Sequence, residues 1–206
     1  DVVNSIVEFN RYTNSPVAND KGKLFNLPFN MNTFNRLWGV TTPAEAEAKI
    51  AEQRKEAIEA LGGCEPQNLE EQALTLVGKD IFNILIKEYT EKQWGRKCSE
   101  LPAFIIKRLP VRFNYDNRYF KDTWEGLPAD GYTAWMERMI DDPRIHVTLE
   151  TDFFDGSQPY NKAALAAAGV PVVYTGPVDR YFDYSLGELK WRTVDFKEAR
   201  YDEGDH

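Results

Sequence analysis

Thiols, imidazoles and glycine-rich phosphate loops are what this chain has least of. Cys64, Cys98, His146 and His206 are its only cysteines and histidines in 206 residues, and none are closely paired. No zinc or haem spacing can be built from them, and a reducing cytoplasm is the expected setting. The thirteen glycines include no G-x-G pair, which excludes the dinucleotide fingerprint and the Walker loop from these residues. Gly126 and Gly131 have P-loop separation, but Tyr132-Thr133 stands where Lys-Ser/Thr is required. There is no G-x-S-x-G elbow either, and a nucleophile–histidine pair would have to rest on His146, inside an expected strand, or on terminal His206. Hydrolase chemistry is therefore set aside.

Positive charge is also short. With 25 Lys and Arg against 33 Asp and Glu, the net charge is −8, which argues against a nucleic-acid partner, because such binding rests on dense positive charge. Any phosphate contact must come from a few placed arginines. No apolar run reaches membrane-span length, and Asp1-Val2-Val3-Asn4 lacks the basic-then-apolar order of a signal peptide. No membrane partner is expected, and the abrupt start reads as a piece of a longer protein.

What is present can fill a core: 42% of residues are hydrophobic and 13% aromatic. Residues 11–18 and 23–28 flank the turn-rich Asn19-Asp20-Lys21-Gly22 and predict a hairpin, with a short helix over residues 2–9 before it. Thr42-Pro43-Ala44-Glu45 combines an N-cap hydroxyl, a first-turn proline and a capping-box glutamate, so a helix should run to Leu61 and stop at Gly62-Gly63. Further helices are expected over 69–77, 79–89 and 132–140, and a short surface helix over 163–168. Residues 145–149, 171–175 and 191–196 are β-branched or aromatic and predict strands. The expected class is α+β, a helical bundle beside a partial, mainly antiparallel sheet, with no complete Rossmann domain. Its expected segments are 1–30 (helix and hairpin), 31–140 (helical, with a mobile loop about 100–112) and 141–206 (partial sheet).

The chemistry concentrates in Tyr89-Thr90-Glu91-Lys92-Gln93-Trp94-Gly95, then Leu101-Pro102-Ala103, then the run from Lys107 to Phe120. A nucleotide base takes a flat aromatic partner, a diphosphate takes guanidinium forks, and sugar hydroxyls take Thr, Asn and Tyr groups. Each residue also has a plain structural reading: Trp94 as core, Arg108 or Arg112 as a solvated charge, Tyr119 as packing. By chemistry alone the span is a candidate nucleotide pocket.

The words YTEKQWG, ELPA, KRLPVRFNYD, Tyr119-Phe120 and the later GYT resemble, in order and spacing, the signature of bacterial UDP-galactopyranose mutases. Phe25 to Asn30 is similar to that family's F-x-L-P-x-N segment. Tyr174 to Asp179 resembles its Y-x-G-P-x-D turn, and Trp191 to Phe196 its aromatic-R-T-x-D-F strand. The resemblance implies an isomerase interconverting UDP-galactopyranose and UDP-galactofuranose for cell-wall polysaccharide, in a full-length parent that uses reduced FAD and forms a homodimer. It implies a substrate-binding role for Asn30, Tyr89, Thr90, Trp94 and Tyr119, and a catalytic role for Arg108, a loop arginine that neutralises the diphosphate between Pro102 and Pro110. It also implies that Thr175, Gly176, Pro177 and Arg192 lie near the flavin. The glycine fingerprint, the histidine-bearing motif, a second loop arginine and the FAD-contacting C-terminal segment are absent from these residues. The chain by itself is therefore expected to bind no flavin and to be inactive. Two alternatives stand beside this reading: a non-catalytic UDP-sugar binding module, and the substrate domain of another FAD-dependent protein.

Overall fold

The computed structural model describes residues 2–107 and 109–200. The chain divides into two compact units, Asp1–Asn10 with Leu127–Trp191 and Arg11–Gly126 with Arg192–His206.

The larger unit opens on an antiparallel hairpin, β1 (Val17–Asp20) and β2 (Lys23–Asn26), with Asp20 opposite Lys23. Lys21 and Gly22 both have positive φ, 50° and 87°, which a two-residue type I′ turn demands and a glycine meets without strain. The Asn19 side chain accepts from the Gly22 N–H at 2.8 Å. The expected hairpin is therefore present, with shorter strands than the sequence indicated.

Helix α1 (Met31–Trp38) starts on Asn30, whose side-chain oxygen accepts from the N–H groups of Asn32 and Thr33. Helix α2 (Pro43–Leu61) has the expected capping box between Thr42 and Glu45 and ends on left-handed Gly62. The two Thr N–H donors hold the Glu45 carboxyl below its usual range. Helix α3 (Leu69–Val77) is capped by Asn68.

After Gly78 the chain runs through α4 (Lys79–Ile81), a π-helical stretch (Phe82–Lys87) and α5 (Glu88–Trp94) without leaving helical geometry. Nothing in the residues marks the π stretch, since a slightly wider turn leaves a 3–4 spacing of apolar residues nearly intact over so short a span.

Phe34, Leu69, Ala73, Val77, Ile81 and Phe82, together with Phe29 and Met31, form the center of the buried core. Phe34 stacks on Trp38 at 5.5 Å. One part-buried polar knot ties three helices together. The Trp38 indole donates to Asp80 at 2.8 Å, the Gln53 amide donates to the same carboxylate, and the Asp80 N–H donates back to Gln53 at 3.0 Å. Gly78, at φ 80°, leaves room for it: a Cβ there would lie 2.6 Å from that of Gln53.

In the smaller unit the expected N-terminal helix contracts to a 3-10 turn, Val3–Ser5. The Ser5 hydroxyl donates to Val2 and the Asn4 side chain accepts from Phe9, local bonds that compete with a helical ladder. Helix α6 (Gly131–Ile140) packs Trp135 edge-on to Phe9 at 5.3 Å, and α7 (Lys162–Ala167) is capped by Asn161. Helix α8 (Val178–Tyr181) follows Pro177.

The strands expected over 145–149, 171–175 and 191–196 do not form: these residues join no ladder, and side chains such as Val173, 90% exposed, are left open. β-Branched composition marks a residue that suits a half-buried pleat, and without a partner strand it yields only extended chain. The class is α+β, with its one sheet among the described residues two-stranded and antiparallel. Among those residues no helix is long and apolar enough to cross a membrane.

Candidate functional site

A cavity of about 550 Å³ opens in the larger unit. Its first wall is the face that the π stretch and α5 share: Leu85, Ile86, Tyr89, Thr90, Gln93 and Trp94 all line it. The π turn explains how residues at 85, 86, 89, 90, 93 and 94 hold one face to the last turn, because a wider turn offsets the angular drift of an α-helix. Gly95, in left-handed conformation, ends the helix directly after Trp94, its N–H donating to Glu91 at 2.8 Å.

The facing wall is the 3-10 helix Ala103–Ile106 with Leu109 and Pro110. This segment is anchored at its start, where the Leu69 N–H donates to the Leu101 carbonyl at 2.8 Å. Pro28 and Phe29 close the floor, joined to Val111 by a parallel bridge, and Asn14 and Tyr119 close the far end, where the Tyr119 N–H donates to Asn14 at 2.8 Å. The Leu27–Pro28 bond is cis.

Four of the expected substrate-binding residues, Tyr89, Thr90, Trp94 and Tyr119, therefore border one cavity. Thr90 is buried, whereas Trp94 (44% exposed) and Tyr119 (39% exposed) keep ring surface open to a ligand. Asn14 and Gln93 also line the space and carry amides; neither is among the residues singled out from the sequence, and the i+4 spacing of Gln93 from Tyr89 was the one available signal for it.

Asn30 has a different place. It is fully buried, absent from the cavity lining, and its amide nitrogen donates to the Asp116 carbonyl at 3.0 Å and to Asn117 at 2.7 Å. Its short polar side chain serves as helix cap and loop anchor, uses that resemble ligand binding when read from sequence. Arg108 lies outside the described residues. Thr175, Gly176 and Pro177 belong to the smaller unit and Arg192 to the larger. A Cβ on Gly176 would meet the Tyr174 ring, and one on Gly95 would meet the Arg192 guanidinium.

No acidic or basic side chain lines the cavity among the described residues. In a protein of net charge −8, an uncharged lining spares an anionic ligand direct repulsion. An apolar floor with a few amides, hydroxyls and an indole suits a flat ring carrying polar substituents. Nearby, the Arg118 guanidinium and backbone hold the Asp116 carboxyl down to about 2. Burial, then the Glu91 and Glu70 carboxylates, push the Cys98 thiol up to about 11. Such a thiol is not a nucleophile at neutral pH. Among the described residues no group of three or more His, Cys, Asp or Glu is placed to hold a metal ion.

Comparison with known proteins gives this geometry a context. A probable UDP-galactopyranose mutase of Klebsiella pneumoniae is 40% identical over 205 residues, covering 99% of this chain and 50% of that protein. A dTDP-fucopyranose mutase of Escherichia coli is 35% identical over 210 residues, 99% of this chain and 52% of that protein. A UDP-galactopyranose mutase of Mycoplasma pneumoniae is 31% identical over 116 residues, 55% of this chain and 29% of that protein. The chain spans about half the length of the first two relatives. The model of the UDP-galactopyranose mutase family matches residues 84–206, more than half of the chain, and the chain belongs to that family.

Proposed function

We propose that this chain is the substrate-binding part of a flavin-dependent mutase that interconverts UDP-galactopyranose and UDP-galactofuranose. The observation that carries the reading is the cavity that Tyr89, Thr90, Trp94 and Tyr119 border together. In this reading the base lies against the Trp94 indole, Tyr89 and Thr90 flank it, and Tyr119 faces the diphosphate. In the same reading Arg108 supplies the cation that the described lining residues lack. As the bond from sugar to UDP breaks, negative charge grows on the diphosphate, and a guanidinium in a closed site opposes that cost.

FAD, implied by the resemblance, does not fit these residues by themselves. The thirteen glycines include no G-x-G pair, and among the described residues the only two strands form a hairpin, so no strand, glycine turn and helix are joined to cradle a pyrophosphate. The flavin is assigned to the part of the longer family proteins that this chain does not span, and purified chain is expected to show no visible flavin absorbance.

Calorimetric titration of the chain with UDP, dTDP and a simple amine tests the reading. Saturable binding of UDP, weakened by Arg108→Ala, is the expected result; binding of the amine in preference to either nucleotide would favor another flavoprotein class and overturn it. The dTDP arm is included because one relative is named for a dTDP-sugar.

A further inference from the structure

Arg112 is a buried charge that makes no direct ion pair among the described residues. Its plain structural reading from sequence is a solvated charge; in the structure it is 5% exposed, and among the described residues no carboxylate lies within ion-pair distance. Its neighbor Asp116 is engaged by Arg118 at 2.8 Å instead. The Arg112 guanidinium spends its donors on backbone: Nη1 donates to the Arg118 carbonyl and Nη2 to the Tyr119 carbonyl at 2.8 Å, while Nε is buried without a partner among the described residues. A buried cation whose direct contacts are all neutral acceptors, with the Asp116 carboxylate felt only at longer range, is costly, so its placement calls for a physical account.

That account lies in what the two carbonyls belong to. The Arg112 N–H donates to the Phe29 carbonyl at 2.9 Å, fixing its backbone to the cavity floor, while its side chain reaches across to the residues on either side of the Arg118–Tyr119 peptide. One residue thus links the floor to the far wall. The planar fork of a guanidinium can serve two successive carbonyls in one rigid geometry, which a lysine ammonium on its flexible stem does not reproduce. The intervening residues are held as well: Asn114 accepts from the Met31 N–H at 2.9 Å, and the Asn30 amide donates to Asp116 and Asn117.

We infer that Arg112 is a positioning residue that fixes the Tyr119 ring at the cavity by clamping the backbone of residues 118 and 119. Its effect on ligand binding rests on the nucleotide-sugar reading; its effect on the ring does not. The two are read separately, in the whole 206-residue chain carrying 3-fluorotyrosine at position 119. In the parent chain the fluorine signal should be single and displaced from that of an unfolded control. Arg112→Lys and Arg112→Met should both move it toward the unfolded value at a temperature where circular dichroism shows the fold intact. Should Arg112→Met not fold, Arg112→Lys alone decides. A signal unmoved in a folded variant overturns the inference, whether or not UDP binds.

The second readout is UDP affinity. Arg112→Lys should weaken it about tenfold, the size of one lost hydrogen bond to a charged group, and should add nothing further in a Tyr119→Ala background. Additive losses in that double variant would show that Arg112 acts by a route other than Tyr119 and would overturn the inference. A moved fluorine signal in a chain that never bound UDP would support the clamp while removing the nucleotide reading.

Discussion

Replacing Trp94 by alanine removes the one indole that lines the cavity among the described residues. The indole is 44% exposed, so of about 250 Å² for a whole tryptophan about 110 Å² is uncovered. A base lying on one face would cover about half of that, about 55 Å², worth about 1.4 kcal/mol at about 25 cal/mol per Å². That is about tenfold in Kd, at the lower end of the about 1–3 kcal/mol that base–aromatic contacts lose on alanine substitution. The helix should tolerate the change, because position 94 is the last residue of α5 and alanine is the better helix former. Calorimetric titration with UDP, run beside thermal unfolding, measures both effects. Trp124→Ala is the control, since that indole is 85% exposed and lies outside the cavity lining. Equal UDP affinity for Trp94→Ala and the unaltered chain, with the fold intact, would refute the stacking argument.

Two further outcomes follow from the same geometry. Asn30→Ala should lower stability by about 2–4 kcal/mol, combining a lost N-cap with buried loop hydrogen bonds left unmade, and chemical denaturation will show whether it does. Cys98 has its thiol raised by burial, so the protonated form is the one the fold favors. The stability this contributes is full below the unfolded thiol's ordinary value and is lost as pH rises through about 11. Mass spectrometry after iodoacetamide at mildly alkaline pH should find exposed Cys64 alkylated and Cys98 untouched until denaturant is added.

Sequence legibility followed the range of the forces involved. Helix α2 was readable end to end because its cap, proline, glutamate and terminal glycines act within a few residues. The hairpin turn was readable for the same reason. The strands expected over 145–149, 171–175 and 191–196 depend on partners elsewhere, and local composition carries no record of whether a partner is there. Asn30 shows a second limit: an amide that caps a helix and one that meets a sugar are the same residue, and only burial separates them. The Met31-Asn32-Thr33 that follows it, with a hydroxyl at the third helical position, was the available hint of a cap. Arg112 shows a third, since an arginine's partners here are backbone carbonyls six and seven residues away, which leave no side-chain signature.

The cavity's role can be read directly from the five tryptophans by following their indole N–H signals in a nitrogen-15 NMR titration with UDP. If the cavity holds the nucleotide, the Trp94 signal shifts saturably while Trp124 stays fixed. A Trp94 signal that does not move at saturating UDP, or a shift confined to the other indoles, would contradict it.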